Sequence, residues 1–143
     1  MSDENANASN AFMSTEPIPL DEALASFDTP WSPRIVTRVN DYDVRIAKAE
    51  GEHVWHVHDH TDEFFLVIDG ELRISLREPD GERTVLLPRG AVFTVPRGTE
   101  HKPHAPSGAA FLMFEPTGTP TLGDRHDGTG HSVHSTTGQP LDT

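Results

Sequence analysis

The stretch GEHVWHVHDHTDEFFLVIDG, residues 51–70, decides how the rest of the chain is interpreted. His56 and His58 are two residues apart, and side chains at that spacing on a β-strand point to the same face. Glu63 follows a short polar turn, and His101 comes thirty-one residues after Gly70. Imidazole nitrogens and a carboxylate oxygen together suit first-row divalent metals. The sequence therefore predicts one metal site built from side chains of separate strands.

The chain from Arg34 to Glu115 alternates short β-branched and aromatic runs with turn residues, a pattern typical of an all-β sandwich or barrel. The connections are too short for parallel crossovers, so we expect antiparallel pairing. Asp69-Gly70 predicts a type I′ hairpin, and Pro79-Asp80-Gly81 predicts a second hairpin. The predicted strands, about eight in number, span residues 35–39, 42–49, 54–58, 63–68, 71–77, 83–87, 91–95 and 110–115.

Two of these strands differ in the faces they present. In the strand over 71–77, Leu72, Ile74 and Leu76 alternate with polar residues, which predicts one buried face and one solvent-exposed face. In the strand over 63–68 both faces are apolar, so we expect it to be buried on both sides. The face of Phe64, Leu66 and Ile68 would then pack on a second sheet or a second subunit, which predicts a homodimer.

The two ends of the chain have a different composition. Residues 1–33 form a predicted N-terminal extension whose first fifteen or so residues are polar. It includes a predicted short helical turn within 17–24, capped by Asp21, and two aromatic anchors, Phe27 and Trp31. Residues 117–143 are rich in Gly, Thr and Ser, and we expect a disordered or loosely packed tail.

The composition excludes several classes of partner. The 143 residues carry 11 Lys and Arg against 23 Asp and Glu, a formal charge of −12 that repels phosphate backbones and anionic lipid surfaces. We therefore expect no nucleic-acid and no membrane partner. A spanning segment and a secretory leader are both absent from the pattern, so we expect a cytoplasmic protein. The absence of cysteine excludes thiol chemistry.

A family resemblance rests on two motifs. Residues 51–70 resemble the first cupin motif, and residues 90–101 resemble the second. The resemblance spans about 34–116 and implies a small single-domain bacterial cupin of the mannose-6-phosphate isomerase-like, or cupin type 2, group. It implies an antiparallel double-stranded β-helix, the jelly-roll barrel, and the metal ligands His56, His58, Glu63 and His101. Two departures, a shorter spacing from Gly51 to His56 and Ala105 in place of an asparagine, leave those ligands intact.

The function that this resemblance implies is a metalloenzyme. It would hold Fe, Mn, Ni or Zn and act on a small polar organic substrate by dioxygenase-type or isomerase/lyase-type chemistry. The fold alone does not choose between these reactions. The alternatives are a non-catalytic sensor that binds a metal or a small molecule, and a dimeric scaffold.

Further residues are weaker candidates for the site. His104 and Tyr42 are candidates for the pocket, and His53 and His60 rank below the four ligands. The tail histidines are expected to be solvated: His126, His131 and His134. Four residues are candidates for a cavity lining, although core packing is their ordinary role: Phe65, Phe93, Phe111 and Met113. Cationic candidates for a substrate carboxylate or phosphate are Arg45, Lys48 and Arg73. Trp55 is expected to be an interface or inter-sheet anchor.

Overall fold

The computed structural model describes residues 16–127 and 136–141. Among these residues, no helix is long and apolar enough to cross a bilayer. The described elements are helix α1 (Leu20–Ala25) and strands β1 (Arg34–Val39), β2 (Tyr42–Glu52), β3 (His56–Val57), β4 (Glu63–Gly70), β5 (Leu72–Glu78), β6 (Gly81–Leu87), β7 (Val92–Val95), β8 (Glu100–Pro116), β9 (Arg125–His126) and β10 (Gln139–Pro140).

Strand β8 organises the molecule because two sheets share it. Residues 100–104 pair with β3 and β5, residues 109–114 pair with β4, and β2 pairs with β8 between 104 and 116. All ten strands belong to one continuous hydrogen-bonded sheet, whose two halves have the orders β10-β1-β2-β8-β4-β7 and β9-β3-β8-β5-β6 and are called the two sheets below. All pairs are antiparallel except β1 with β10. The predicted all-β jelly-roll fold is confirmed, and within the described residues the strand pairs leave the sheet open rather than closing it into a barrel.

The predicted hairpin at Asp69-Gly70 is wrong. Strand β4 pairs with β7 and β8, and β5 pairs with β6 and β8, so the chain passes here from one sheet to the other. Only Gly70 has a positive φ, of 75°, whereas a type I′ turn needs positive φ at both central residues. A Cβ at Gly70 would lie 2.4 Å from the carbonyl oxygen of Gly108, so glycine is required by close approach as well as by φ. The second predicted hairpin is confirmed, since Glu78 pairs with Gly81.

The core lies between the two sheets, with a smaller cluster outside. Leu72, Ile74 and Leu76 are buried, as their alternation predicts. The outer cluster forms where α1 covers β1 and β2, and Ile68 packs against its edge. The outer face of β4 is therefore covered in part by the N-terminal segment of the same chain. The cluster consists of Ala23, Phe27, Val36 and Ile46.

Helix α1 and Trp31 secure this N-terminal segment. The helix begins after Pro19, which makes no side-chain cap, and Asp21 lies in the first turn instead of capping it. Trp31 is 4% exposed and its indole N–H donates to the carbonyl oxygen of Glu50 at 3.0 Å. The two aromatic anchors expected from the sequence are thus both buried.

The described part of the C-terminal segment is paired with other strands of the chain. In the described part of 117–143, β9 pairs with β3 and β10 pairs with β1. The N–H groups of Asp124 and Asp127 donate to the carbonyl oxygens of Val57 and Trp55 at 2.8 and 2.9 Å. The segment thus closes over the strand that carries the histidine pair. The polar composition missed this because the segment is held by backbone hydrogen bonds rather than by apolar side chains. His131 and His134 lie outside the described residues.

Candidate metal centre

The four predicted ligands come together at the inner end of the sandwich. His56 lies in β3 directly opposite His101 of β8, Glu63 begins β4, and His58 follows β3. Each has 5% or less of its surface exposed. Alternation places His56 and His58 on one face, as predicted, and the β3–β4 turn returns the chain so that Glu63 meets them.

The size of the cluster matches one coordination sphere. One ligand atom from each residue lies within 4.8 Å of the ligand atoms of the other three. Ligands on opposite sides of one zinc-sized ion are about 4.2 Å apart, twice the metal–nitrogen distance of about 2.1 Å. His101 Nε2 lies 2.9 Å from Glu63 Oε1, and His58 Nε2 lies 3.0 Å from Glu63 Oε2. The donor set therefore fits a divalent ion in size and in chemistry.

The hydrogen bonds of the rings point their free nitrogens into the cluster. Nδ1 of His56 lies 2.9 Å from the carbonyl oxygen of Val54, and Nδ1 of His101 lies 2.9 Å from that of Thr99. A carbonyl oxygen only accepts, so both Nδ1 atoms carry a hydrogen, and Nε2 is the ring nitrogen that faces the cluster. This arrangement, an N–H donated to a carbonyl with the other nitrogen left free, is the usual one for metal-binding histidines.

One buried ligand atom of the cluster has no hydrogen-bond partner among the described residues. His101 Nε2 is hydrogen-bonded to Glu63 Oε1 at 2.9 Å. His58 Nε2 is buried and has no hydrogen-bond partner within 16–127 and 136–141, because its approach to Glu63 lacks the alignment of a hydrogen bond. A cation at the centre of the cluster would satisfy this nitrogen.

Electrostatics keep the cluster close to the protonation states that metal binding needs. Burial lowers the pKa of His56 well below its usual value, with a further contribution from His101. Burial opposes charge on His58 too, but the Glu63 carboxylate outweighs it and raises the pKa of His58 to about 9. Burial alone would raise the pKa of Glu63, yet His58 and His101 hold it well below its usual range. The cluster thus contains an ionised carboxylate and a neutral His56, both of them ligand forms, and a protonated His58, which must lose its proton to bind a metal.

A cavity of about 30 Å³ lies beside the cluster. This is space for about two waters. His56 and Glu63 form one end of it, and His53, whose pKa burial lowers to about 4, lies next to them. No Lys or Arg is among the described residues that line it. The apolar part of the wall consists of Trp31, Pro33, Ala47, Phe65, Pro103, Phe111 and Met113.

Glu115 is a cavity residue that the sequence reasoning missed. It is 2% exposed, and its Oε1 accepts a hydrogen bond from Arg45 at 3.0 Å. Burial raises its pKa to about 8, and the charge of Glu63 adds to this while Arg45 opposes it. A signal was present in the sequence, because Phe111, Met113 and Glu115 alternate along one strand and two of them are apolar. A glutamate at an inward position of such a strand indicates a special role.

The structure does not bring His104 and Tyr42 to the cavity. His104 is three residues after His101, so it lies on the opposite face of β8, where its Nε2 is 3.4 Å from Ser75 Oγ. Tyr42 stacks on Phe114 with the ring centres 4.9 Å apart, also on the outer face. The alternation that buries His101 therefore places His104 outside this cavity, and neither residue is among those that line it.

The remaining candidates have structural partners. Phe65, Phe111 and Met113 line the cavity, whereas Phe93 packs against the core. His60 and His126 are exposed. Trp55 lies under the guanidinium of Arg77, 4.0 Å from the ring centre. Each cationic candidate has an internal partner: Arg45 pairs with Asp43 and Glu115, Lys48 donates to the carbonyl oxygen of Phe27, and Arg73 pairs with Glu71.

Comparison with known proteins decides the family. The sequence profile of the cupin domain matches residues 42–115, just over half of the chain. The chain belongs to the cupin family. This cupin is similar to a cupin-2 domain protein of Shewanella frigidimarina, with 37% identity and a TM-score of 0.65 over 69% of this chain and 93% of that one.

Two further relatives have a more limited likeness. The protein YdbB of Bacillus subtilis is 37% identical over 67 residues, which are 47% of this cupin and 57% of YdbB. The match therefore spans little more than half of that relative. A hydroquinone 1,2-dioxygenase from a Sphingomonas species, solved with 4-hydroxybenzoate bound, has a TM-score of 0.64 at 21% identity, over 71% of this chain and 32% of that one. That likeness is one of fold.

Proposed function

We propose that this cupin is a metal-dependent enzyme that acts on a small organic molecule. The observation that carries the proposal is the convergence of four buried ligand atoms, within 4.8 Å of one another, at the end of a cavity. His56, His58, Glu63 and His101 would hold a divalent transition metal such as Fe, Mn, Ni or Zn. A cluster of three imidazoles and a carboxylate is costly to bury without a cation.

The chain's own residues prepare the site for chemistry. When bound, the metal supplies a Lewis acid and, as iron or manganese, a centre that activates dioxygen. The carbonyls of Val54 and Thr99 orient the rings of His56 and His101 before any ligand arrives. The apolar cavity wall excludes water, which strengthens electrostatic interactions inside.

Oxygenase chemistry is the first candidate reaction. Similar folds include hydroquinone 1,2-dioxygenases, solved with 4-hydroxybenzoate or 4-nitrophenol bound. At 20–21% identity these proteins share the fold, and their chemistry comes to this cupin as a hypothesis only. Isomerase or lyase chemistry at the same centre is the alternative, and it would proceed without oxygen uptake.

The experiment that tests the proposal loads the chelator-stripped protein with Fe(II), Mn(II), Ni(II) or Zn(II), one at a time. Oxygen uptake and product formation are then followed with hydroquinone as the probe. We expect hydroquinone-dependent oxygen uptake with iron or manganese, lost in H56A/H58A and kept in H60A/H104A, which removes two histidines outside the cluster. Equal uptake in the two double variants would contradict a catalytic role for the cluster.

A second candidate is a non-catalytic binding module. The small cavity favours it, because space for about two waters suits a bound metal or a very small ligand. Metal-dependent binding without turnover of any probe would support this candidate.

We also propose a homodimer. Phe64 and Leu66 on the outer face of β4 are only half-buried within one chain, which supports a covered face in an assembly. The cytoplasmic location stays a prediction from the sequence.

A further inference from the structure

We propose that Glu115 binds a hydroxyl group of the organic ligand and so selects small neutral hydroxylated molecules. The inference rests on the proposed function, because it places the ligand in the cavity beside the metal centre. Glu115 is 2% exposed and lines the same cavity as His56 and Glu63, but it is not one of the four clustered ligands.

A buried network fixes the position of Glu115. Arg45 Nη1 donates to Glu115 Oε1 at 3.0 Å and to the carbonyl oxygen of Thr119 at 2.9 Å. Arg45 Nη2 and Nε donate to Asp43 Oδ2 at 2.9 and 3.2 Å, and Asp43 Oδ1 accepts in turn from Thr117 at 2.8 Å. All the donors of Arg45 that face this network are therefore in use, and Arg45 acts as a positioning residue for Glu115.

The second oxygen of Glu115 is left for a ligand. Oε2 is buried and has no hydrogen-bond partner in the described ranges 16–127 and 136–141. An unsatisfied buried oxygen carries a desolvation cost, so native proteins pair such atoms. The carboxyl group of Glu63 also lies within hydrogen-bonding reach of Glu115. Because Glu63 is one of the four metal ligands and Arg45 immobilises Glu115, a further partner would reach Oε2 from within the cavity.

The chemistry of the cavity narrows the class of ligand. Beyond the metal itself, a phosphate or carboxylate would find no Lys or Arg among the lining residues described, and at Glu115 it would meet a carboxyl group. A hydroxyl group both donates and accepts, so it pairs with Oε2 whether Glu115 is protonated or ionised. The other walls suit an apolar body, since they include Ala47, Phe65, Phe111 and Met113. A ring-sized ligand requires the cavity to widen, because its volume is about 30 Å³.

The test compares phenol with toluene, which has the same size and no hydroxyl. Dissociation constants are measured by NMR titration on Zn(II)-loaded wild type, E115M and E115Q. We expect E115M to lower the preference for phenol over toluene about tenfold, the loss of one hydrogen bond. E115Q keeps a polar atom at the same place and is expected to stay close to wild type.

Several results would overturn the inference. These are an unchanged preference in E115M, an equal loss in E115Q and E115M, or no binding of either compound to wild type. A measurement on wild type keeps the inference testable if E115M does not fold. The ¹³C carboxyl signal of Glu115 is assigned as the one that E115Q removes. Phenol should shift this signal, and toluene should not. An unshifted signal would also overturn the inference.

Zinc content separates this inference from the proposed function. It is measured on the same samples and on H56A/H58A. If wild type binds no more zinc than H56A/H58A, the metal centre fails, whatever the two ring compounds do. If wild type binds zinc and E115M has the same preference for phenol over toluene as wild type, the metal centre is supported and only the role of Glu115 is contradicted.

Discussion

The side chain of Arg45 has no exposed surface, and its guanidinium donates hydrogen bonds to three groups at once. Its partners are Asp43, Glu115 and the carbonyl of Thr119. Removing one member of a buried charge network leaves the others desolvated without compensation, which costs more than the intact network contributes. The residue is therefore a structural requirement for the carboxyl groups around the cavity.

We predict that R45M destabilises the fold by about 3–5 kcal/mol, because it leaves the buried Glu115 without its cation and leaves the buried Asp43 with Arg38 alone. The free energy of unfolding is measured in urea. R83M is the matched control, since Arg83 pairs with Glu78 at the exposed surface and its loss should not change stability measurably. Equal stability of R45M and R83M would contradict the network.

The residues of the site differ in how far the sequence could predict them. His56 and His58 were predictable because alternation on a strand needs no tertiary knowledge. His104 was misassigned because only the extent of β8 shows that it lies on the face opposite His101. Glu115 was not predicted as a site residue, because its role depends on the pairing of β8 with β2. That pairing places Arg45 opposite Met113 and beside Glu115.

At the scale of elements, β8 shows where local patterns are insufficient. The sequence predicted a strand over 110–115, and the structure has one of 17 residues that includes Pro103 and Pro106. Proline lowers the local β signal, yet it is tolerated where its missing N–H is not needed by a neighbouring strand. Asp69-Gly70 was similarly ambiguous, because a hairpin and a crossing between sheets both need a glycine.

The contact of the C-terminal segment with β3 is equally specific. A Cβ at Gly123 would lie 2.3 Å from the carbonyl oxygen of Val57, so the backbones approach too closely for any side chain. We predict that G123A loosens the segment and speeds hydrogen exchange of the Asp124 and Asp127 N–H groups, which donate to β3 and to Trp55.

The control for this variant is G118A. Gly118 also has a positive φ, of 91°, but no atom lies within 4 Å of an added Cβ. Both variants therefore carry backbone strain, and only G123A adds the clash. Equal exchange rates at Asp124 in the two variants would show that close packing against β3 does not hold the segment.

At the scale of the whole molecule, the outer face of β4 is only partly covered. Ile68 packs against the N-terminal cluster, whereas Phe64 and Leu66 remain half-buried. We predict a dimer through this face, with L66E shifting the protein to monomer in sedimentation velocity, because a charge would be desolvated in the interface. L86E, at a 55% exposed leucine of β6, should leave the dimer intact. A monomeric wild type would contradict the prediction.

The most direct measurement of the central claim is the metal content of untagged protein, taken by elemental analysis. We predict about one transition metal per chain in wild type and in H60A/H104A, and a loss of that metal in H56A/H58A, since only this pair removes ligands from the buried cluster. The tail histidines are unchanged in all three proteins, so metal bound there cancels. The same metal content in H56A/H58A as in wild type, with the fold retained, would contradict the account.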